Sequence, residues 1–218
     1  MKKALLLING APPKEPINVG KYDAIYCTDG AYEKALKIGL KPDVVVGDFD
    51  SISNVELPEV EVLHRPDQDF TDFDKCLQEL EIRGFTSIDV FGATGLEHDH
   101  FLGNLTTASH FKDKMRISFH DDYSVFFFSP KVLKLNAVKN RMISLYPFPH
   151  AESVESKGLF YPLGGMDLDI LGRVGTRNHA QDDEVEISFK KGEMIIFVSK
   201  YLKNKFYELK SLILYRRN

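Results

Sequence analysis

Along the first half of the chain, short apolar runs alternate with stretches whose apolar residues recur at helical spacing. Residues 4–8, 24–27, 44–46, 60–63 and 88–91 are apolar or β-branched and read as strands. Residues 31–38, 71–82 and 99–111 read as helices. In the middle helix Phe73, Leu77 and Leu80 share one face, and Thr71 with Asp74 three residues later forms an N-cap and partial capping box. Strands alternating with helices imply a mainly parallel sheet with helices on its faces. After about Arg116 the texture changes: 116–119, 125–128, 132–135, 142–146, 185–189 and 194–198 are strand-like, separated by turns such as Lys191-Gly192. The expectation is an α/β N-terminal domain, 1–129, followed by a C-terminal all-β sandwich domain, 130–218, with a partial barrel as the other form of the second unit.

Size and composition fit that picture. The chain has 218 residues, 43 % apolar and 28 % charged, enough for one large or two small domains. A net charge of −4 gives no general attraction to nucleic acid or an anionic membrane. The basic run 200–218 reads as a terminal strand with a solvated face. Cys27 and Cys76 lack metal-ligand spacing and read as buried free thiols of a reducing compartment. The start, Met1 to Asn9, resembles a signal peptide, but its apolar run is too short and it lacks a small-residue cleavage site. A first buried strand and a cytoplasmic location are expected. No run is long enough to span a membrane.

The chemistry concentrates in acidic motifs. Gly47-Asp48-Phe49-Asp50-Ser51 follows an apolar run, so Asp48 and Asp50 fall just outside a strand's carboxyl end, where parallel sheets bind ligands. If the chain stays extended, both aspartates point the same way and Phe49 points to the core. Taken alone, such a pair reads equally well as a solvated acidic turn. Asp67-Gln68-Asp69-Phe70-Thr71-Asp72-Phe73-Asp74-Lys75 adds acids beyond what helix capping needs, with Lys75 on the same face as Asp72. Carboxylates this dense call for a divalent cation, and Mg²⁺ held by carboxylates usually accompanies a polyphosphate. The helix N-terminus favours phosphate as well. Gly92-Ala93-Thr94-Gly95 and Thr28-Asp29-Gly30-Ala31 are further strand-end turns, neither a P-loop nor a Rossmann fingerprint. His98 and His100 flank Asp99, but neighbouring positions at a helix start diverge, which disfavours zinc.

These motifs, with Asp99-His100, Asn104-Leu105, Ser156-Lys157-Gly158-Leu159-Phe160-Tyr161-Pro162-Leu163 and Gly175-Thr176-Arg177-Asn178, resemble the thiamine pyrophosphokinase family, in that family's order over nearly the whole chain. The resemblance implies transfer of the pyrophosphoryl group of ATP to the hydroxyl of thiamine, giving thiamine diphosphate and AMP. It also implies a homodimer, with ATP in the α/β domain and a thiamine site at the subunit interface. Asp48, Asp50 and Asp72 would be the Mg²⁺ carboxylates. Asp69, Thr71, Lys75 and Asp99 would surround the polyphosphate and reacting hydroxyl, with Asp72 or Asp99 as the base. Asp29, Gly30, Gly92, Thr94 and Gly95 would line the nucleotide side. Tyr161 would stack on a thiamine ring, Thr176 and Asn178 would touch the pyrimidine side, and Gly158 and Leu159 would complete that pocket.

This chain departs from the family at Leu96-Glu97, where Gly-Arg is usual, at Arg177, where a small residue is usual, and at Thr28-Asp29-Gly30-Ala31, which stands where a Gly-Gly pair is usual. Other classes compatible with the same acids are a non-catalytic nucleotide or thiamine sensor and a metal-dependent phosphohydrolase.

Overall fold

The computed structural model describes residues 1–49 and 60–202. They form two compact units, one ending at Asp122 and the other starting at Tyr123. In the first unit six strands pair in the order β4-β3-β2-β1-β5-β6: β1 (Lys3–Leu7), β2 (Ala24–Thr28), β3 (Val44–Gly47), β4 (Glu61–His64), β5 (Ser87–Phe91) and β6 (Arg116–His120). Every pairing is parallel. A parallel sheet covered on both faces needs strands that are apolar throughout. Ala4, Leu5, Leu6 and Leu7 accordingly have no exposed surface at all.

Among the described residues three α-helices accompany the sheet: α1 (Tyr32–Lys37), α2 (Asp72–Ile82) and α3 (His98–Phe111). The Thr71 hydroxyl accepts from the Asp74 N–H and so caps α2, as expected. The reciprocal half of the capping box is absent, because the Asp74 carboxylate accepts from Gln78 and Thr107 instead. Gly84, at φ +75°, ends α2 in a Schellman turn: its N–H reaches Glu81 O and the Phe85 N–H reaches Leu80 O. Between these stops Phe73, Cys76, Leu77 and Leu80 are buried, the phenylalanine and the two leucines contributing roughly 1.5–3 kcal/mol each.

One buried carboxylate lies within the sheet. Asp89 on β5 accepts from the Tyr22 hydroxyl at 2.8 Å, and Lys3, Lys21 and His120 stand at 2.8, 3.4 and 3.3 Å from it. Burial pushes this carboxyl upward, but hydrogen bonds and charge from His120, Lys3 and Tyr22 together outweigh it and hold the group well below the ordinary carboxylate range.

The described part of the second unit is all β: β7 (Ser124–Phe128), β8 (Val132–Leu135), β9 (Arg141–Lys157), β10 (Gly164–Asp169), β11 (Gly175–His179), β12 (Val185–Ser188) and β13 (Lys191–Leu202). The protein is thus an α/β fold with a β-rich C-terminal part. Strand β9 pairs antiparallel with β10, β11, β12 and β13. Its expected extent, 142–146, is far shorter than its 17 residues, because Pro147, Pro149 and a polar tail break the apolar pattern. Lys191-Gly192 begins β13 instead of forming the turn; Gly192, at φ +79°, sits where the pairing with β9 shifts register. Among the expected terminal-strand residues, 200–202 belong to β13 and the remainder lie outside the described residues.

Candidate active site

The carboxyl ends of β1, β2, β3 and β5 open into a cleft of about 680 Å³, within the usual range for small-ligand sites. Asp48, Asp69, Thr71, Asp72, Lys75, Gly92, Thr94 and Asp99 all line it, so both acidic motifs and the glycine turn after β5 meet in one place. Asp50 lies outside the described residues.

Behind the cleft Asp29 fixes two of its loops. This residue is 2 % exposed, and its carboxylate accepts from the Gly30 and Phe49 N–H groups at 2.6 and 2.8 Å. It thereby staples the turn after β2 to the loop after β3. A Cβ at Gly47 would lie 2.3 Å from the Asp29 carboxyl carbon, which is why glycine stands there. Burial pushes the Asp29 carboxyl above its ordinary value; the two backbone bonds oppose this, and the negative charges of Asp72 and Asp48 reinforce it. Neither Asp29 nor Gly30 is among the lining residues. Phe49 has φ +62°, so the extended path expected through Asp48 and Asp50 stops at Gly47, although Phe49 does pack against the core.

One wall is the start of α2. Asp72 pairs with Lys75 at 3.0 Å across one helical turn, and Lys75 is buried. Gln68 donates to Asp48 at 2.9 Å, tying the loop before α2 to the end of β3. The opposite wall joins two loops. The Gly10 N–H donates to Gly92 O at 2.7 Å and the Ala11 N–H to Thr94 O at 2.8 Å, while Asn104 supports Ala93 O. A Cβ at Gly10 would fall 2.1 Å from Gly92 O. Gly95 sits behind this wall against Ala11, outside the lining set. At the rim, Glu97 faces His100 at 3.6 Å.

Sequence reasoning gave no role to Asn9, Lys34, Gln68 or Asn104. Lys34, on α1, donates to Asn9 O and Asn9 Oδ1 at 2.6 Å each and lines the cleft. Burial, with help from Lys37, holds its ammonium below the ordinary value. Its position one helical turn after a strand-end motif was the available signal. The donors facing the cleft are hard carboxylate oxygens, which suit Mg²⁺ better than a softer metal. Among the described residues no three His, Cys, Asp or Glu side chains come together as a metal-binding group.

The second unit carries its own aromatic cluster. Tyr161 is 61 % exposed and Phe160 50 % exposed, and Phe160 stacks on His179 with centroids 4.6 Å apart. Asn178 is 5 % exposed: its Oδ1 accepts from the Tyr161 and His179 N–H groups, and its amide donates to Tyr161 O. This side chain therefore fixes the Tyr161 segment from beneath. Leu159 is buried in the hydrophobic core of the unit, pointing away from the exposed aromatic pair. Gly158, at φ +77°, lets the chain pass Glu184 O, which a Cβ would meet at 2.2 Å. Thr176 is exposed, and Arg177 next to it has φ +62°. Phe160 and His179 had no separate role in the sequence reading; only the ring pairing reveals them.

Residues 19–119 match the family model for the thiamin pyrophosphokinase catalytic domain, and residues 131–194 match that for the thiamin pyrophosphokinase vitamin B1 binding domain. A curated relative from Caenorhabditis elegans, thiamin pyrophosphokinase 1, is 28 % identical over 211 residues, covering 89 % of this chain and 85 % of its own. Thiamine pyrophosphokinase of Bacillus subtilis is 29 % identical over 174 residues, covering 75 % and 81 %. A crystal structure of thiamine pyrophosphokinase from Bacillus subtilis superposes with a TM-score of 0.77 at 26 % identity, over 91 % of this chain and 100 % of that one. With both family models matched in order along the chain, and relatives that span most of its length, the chain belongs to the thiamin pyrophosphokinase family.

Proposed function

We propose that this protein is a thiamine pyrophosphokinase: it transfers the pyrophosphoryl group of ATP to the hydroxyl of thiamine, yielding thiamine diphosphate and AMP. The observation that carries the site assignment is the meeting of Asp48 and Asp72, from separate motifs, in one cleft beside Lys75. Asp48, Asp50 and Asp72 would hold Mg²⁺, which supplies charge neutralisation for the phosphate oxygens when bound.

The reaction forms a bond from the thiamine hydroxyl oxygen to the β-phosphorus and breaks the bond from that phosphorus to the bridging oxygen, whose electron pair leaves with AMP. Such transfers rest on positioning and charge stabilisation. Lys75, held by Asp72, offsets charge moving onto AMP. The alcohol proton goes to a cleft carboxylate; Asp99 is the better acceptor, since metal coordination would lower the basicity of Asp72. Asp69, Thr71 and Thr94 line the polyphosphate path. Asp29, Gly30 and Gly95 act from behind it, by fixing the loops. Tyr161, with Phe160, would stack on a thiamine ring and Thr176 would flank it. Gly158, Leu159 and Asn178 shape that surface from below. The second unit is read as a β-sandwich, the working form as a cytoplasmic homodimer with thiamine bound at the subunit interface.

Incubating the purified protein with ATP, Mg²⁺ and thiamine and separating the products tests this reading. Thiamine-dependent formation of AMP with an equal amount of thiamine diphosphate is expected. Phosphate release without thiamine, or ligand binding without AMP, would sink it.

A further inference from the structure

We propose that the Thr28 hydroxyl is a further substrate-contacting group of the cleft, donating a hydrogen bond to a phosphate oxygen of the bound nucleotide; this rests on the nucleotide reading of the cleft given above.

Thr28 ends β2 and lines the cleft in company with Asp48, Asp72 and Lys75. The residue is 3 % exposed, and its Oγ has no hydrogen-bond partner among the described residues. It does not cap the single helical turn that follows it either. Threonine hydroxyls at strand-to-helix junctions ordinarily do cap, and buried hydroxyls ordinarily have partners. An exception needs a cause, and a buried unsatisfied group that faces a ligand site is poised for what the site receives.

The neighbourhood defines the occupant. Strand alternation puts Thr28 on the same sheet face as Tyr26, whose ring meets Phe85 just beyond the end of α2. Thr28 therefore lies on the α2 side, toward the Asp72–Lys75 pair. Two charged groups at this end of the sheet are already engaged: Asp29 accepts from two backbone N–H groups, and Lys75 donates to Asp72. A rotation of the hydroxyl between staggered positions is enough to aim it at a ligand. An anionic oxygen is the best acceptor for it. In a cleft lined by Lys34 of α1 and Lys75 of α2, the matching ligand group is a phosphate.

The test compares Thr28→Val, which keeps the shape and removes the hydroxyl, with Thr28→Ser, which keeps the hydroxyl. Affinity for α,β-methylene-ATP with Mg²⁺ is measured by calorimetric titration, and the melting temperature is measured without ligand. Thr28→Val is expected to bind the analogue about tenfold or more weakly, as for loss of a hydrogen bond to a charged group. Thr28→Ser should bind like the parent. Unliganded Thr28→Val should melt at or above the parent, since it removes a buried unsatisfied oxygen. Equal affinity of Thr28→Val and parent overturns the proposal. So does unliganded melting several degrees lower in both Thr28→Val and the clash-free Thr28→Ala, because the hydroxyl would then have an internal partner. If the parent binds no analogue at all, the nucleotide reading itself fails, an outcome distinct from parent binding that the valine leaves unchanged.

Discussion

At the scale of single residues, the carboxylates that matter are those that line the cleft, Asp48 held by Gln68 and Asp72 paired with Lys75. Asp72 and Asp48 each add to the upward push that burial exerts on the Asp29 carboxyl, so each lies within electrostatic reach of it. Asp48→Ala and Asp72→Ala are each expected to lower turnover by about a hundredfold to a thousandfold or more. The melting temperature of Asp48→Ala should change little, because Asp48 sits at a loop, whereas that of Asp72→Ala should fall, because the buried Lys75 loses its partner; a steady-state AMP assay with a melting curve checks both halves. Glu97 is the converse case. It faces the cleft where a cation is usual in the family, and it pairs only at 3.6 Å with an exposed His100. Glu97→Arg should lower the KM for ATP roughly three- to tenfold, with an effect that shrinks as salt is raised. The acids and Lys75 were legible in the sequence because several chemically similar residues crowd a short stretch. Thr28 and Lys34 were not, because a lone hydroxyl or amine at a strand end carries no pattern until the fold surrounds it.

At the scale of elements, the strand ends and helix starts are held by specific bonds, and these can be removed one at a time. Thr71→Ala deletes the α2 cap and should cost about 1 kcal/mol, seen as a lower urea midpoint with unchanged m-value. Asp89 ties β1, β5, β6 and the segment before β2 together through Lys3, His120, Lys21 and Tyr22. Its carboxyl is held below the ordinary value in the folded protein, so its contribution is complete above about pH 4. It is lost as pH falls through the folded value. Asp89→Asn is therefore expected to lose roughly 1.5–3 kcal/mol near neutrality. The melting temperature of the variant should also fall less steeply than that of the parent between about pH 5 and about pH 2. The parallel strands and three helices were readable because both have strong periodic signals. Strands β10 and β11 were not: Gly164–Asp169 and Gly175–His179 mix glycine, charge and amide, and they become strands only because β9 offers an edge to pair with.

At the scale of the whole molecule, two units carry two separate sets of contacts, a cleft of acids and glycine loops in one and an aromatic shelf in the other. Tyr161→Ala should accordingly raise the KM for thiamine about tenfold or more while leaving that for ATP within about twofold, as loss of one stacked ring would do. Matching losses for both substrates would contradict the assignment. The architecture of the second unit rests on one strand. Because β9 serves four partners along its two edges, none of them can be detached singly without exposing a stretch of that shared ribbon to water. The amides of Ile143 and Leu145 sit where β11 and β13 flank it from both sides. Opening at that point is expected to take the whole of the described part of the unit with it, so the platform under Tyr161 melts as one cooperative block and does not fray piece by piece.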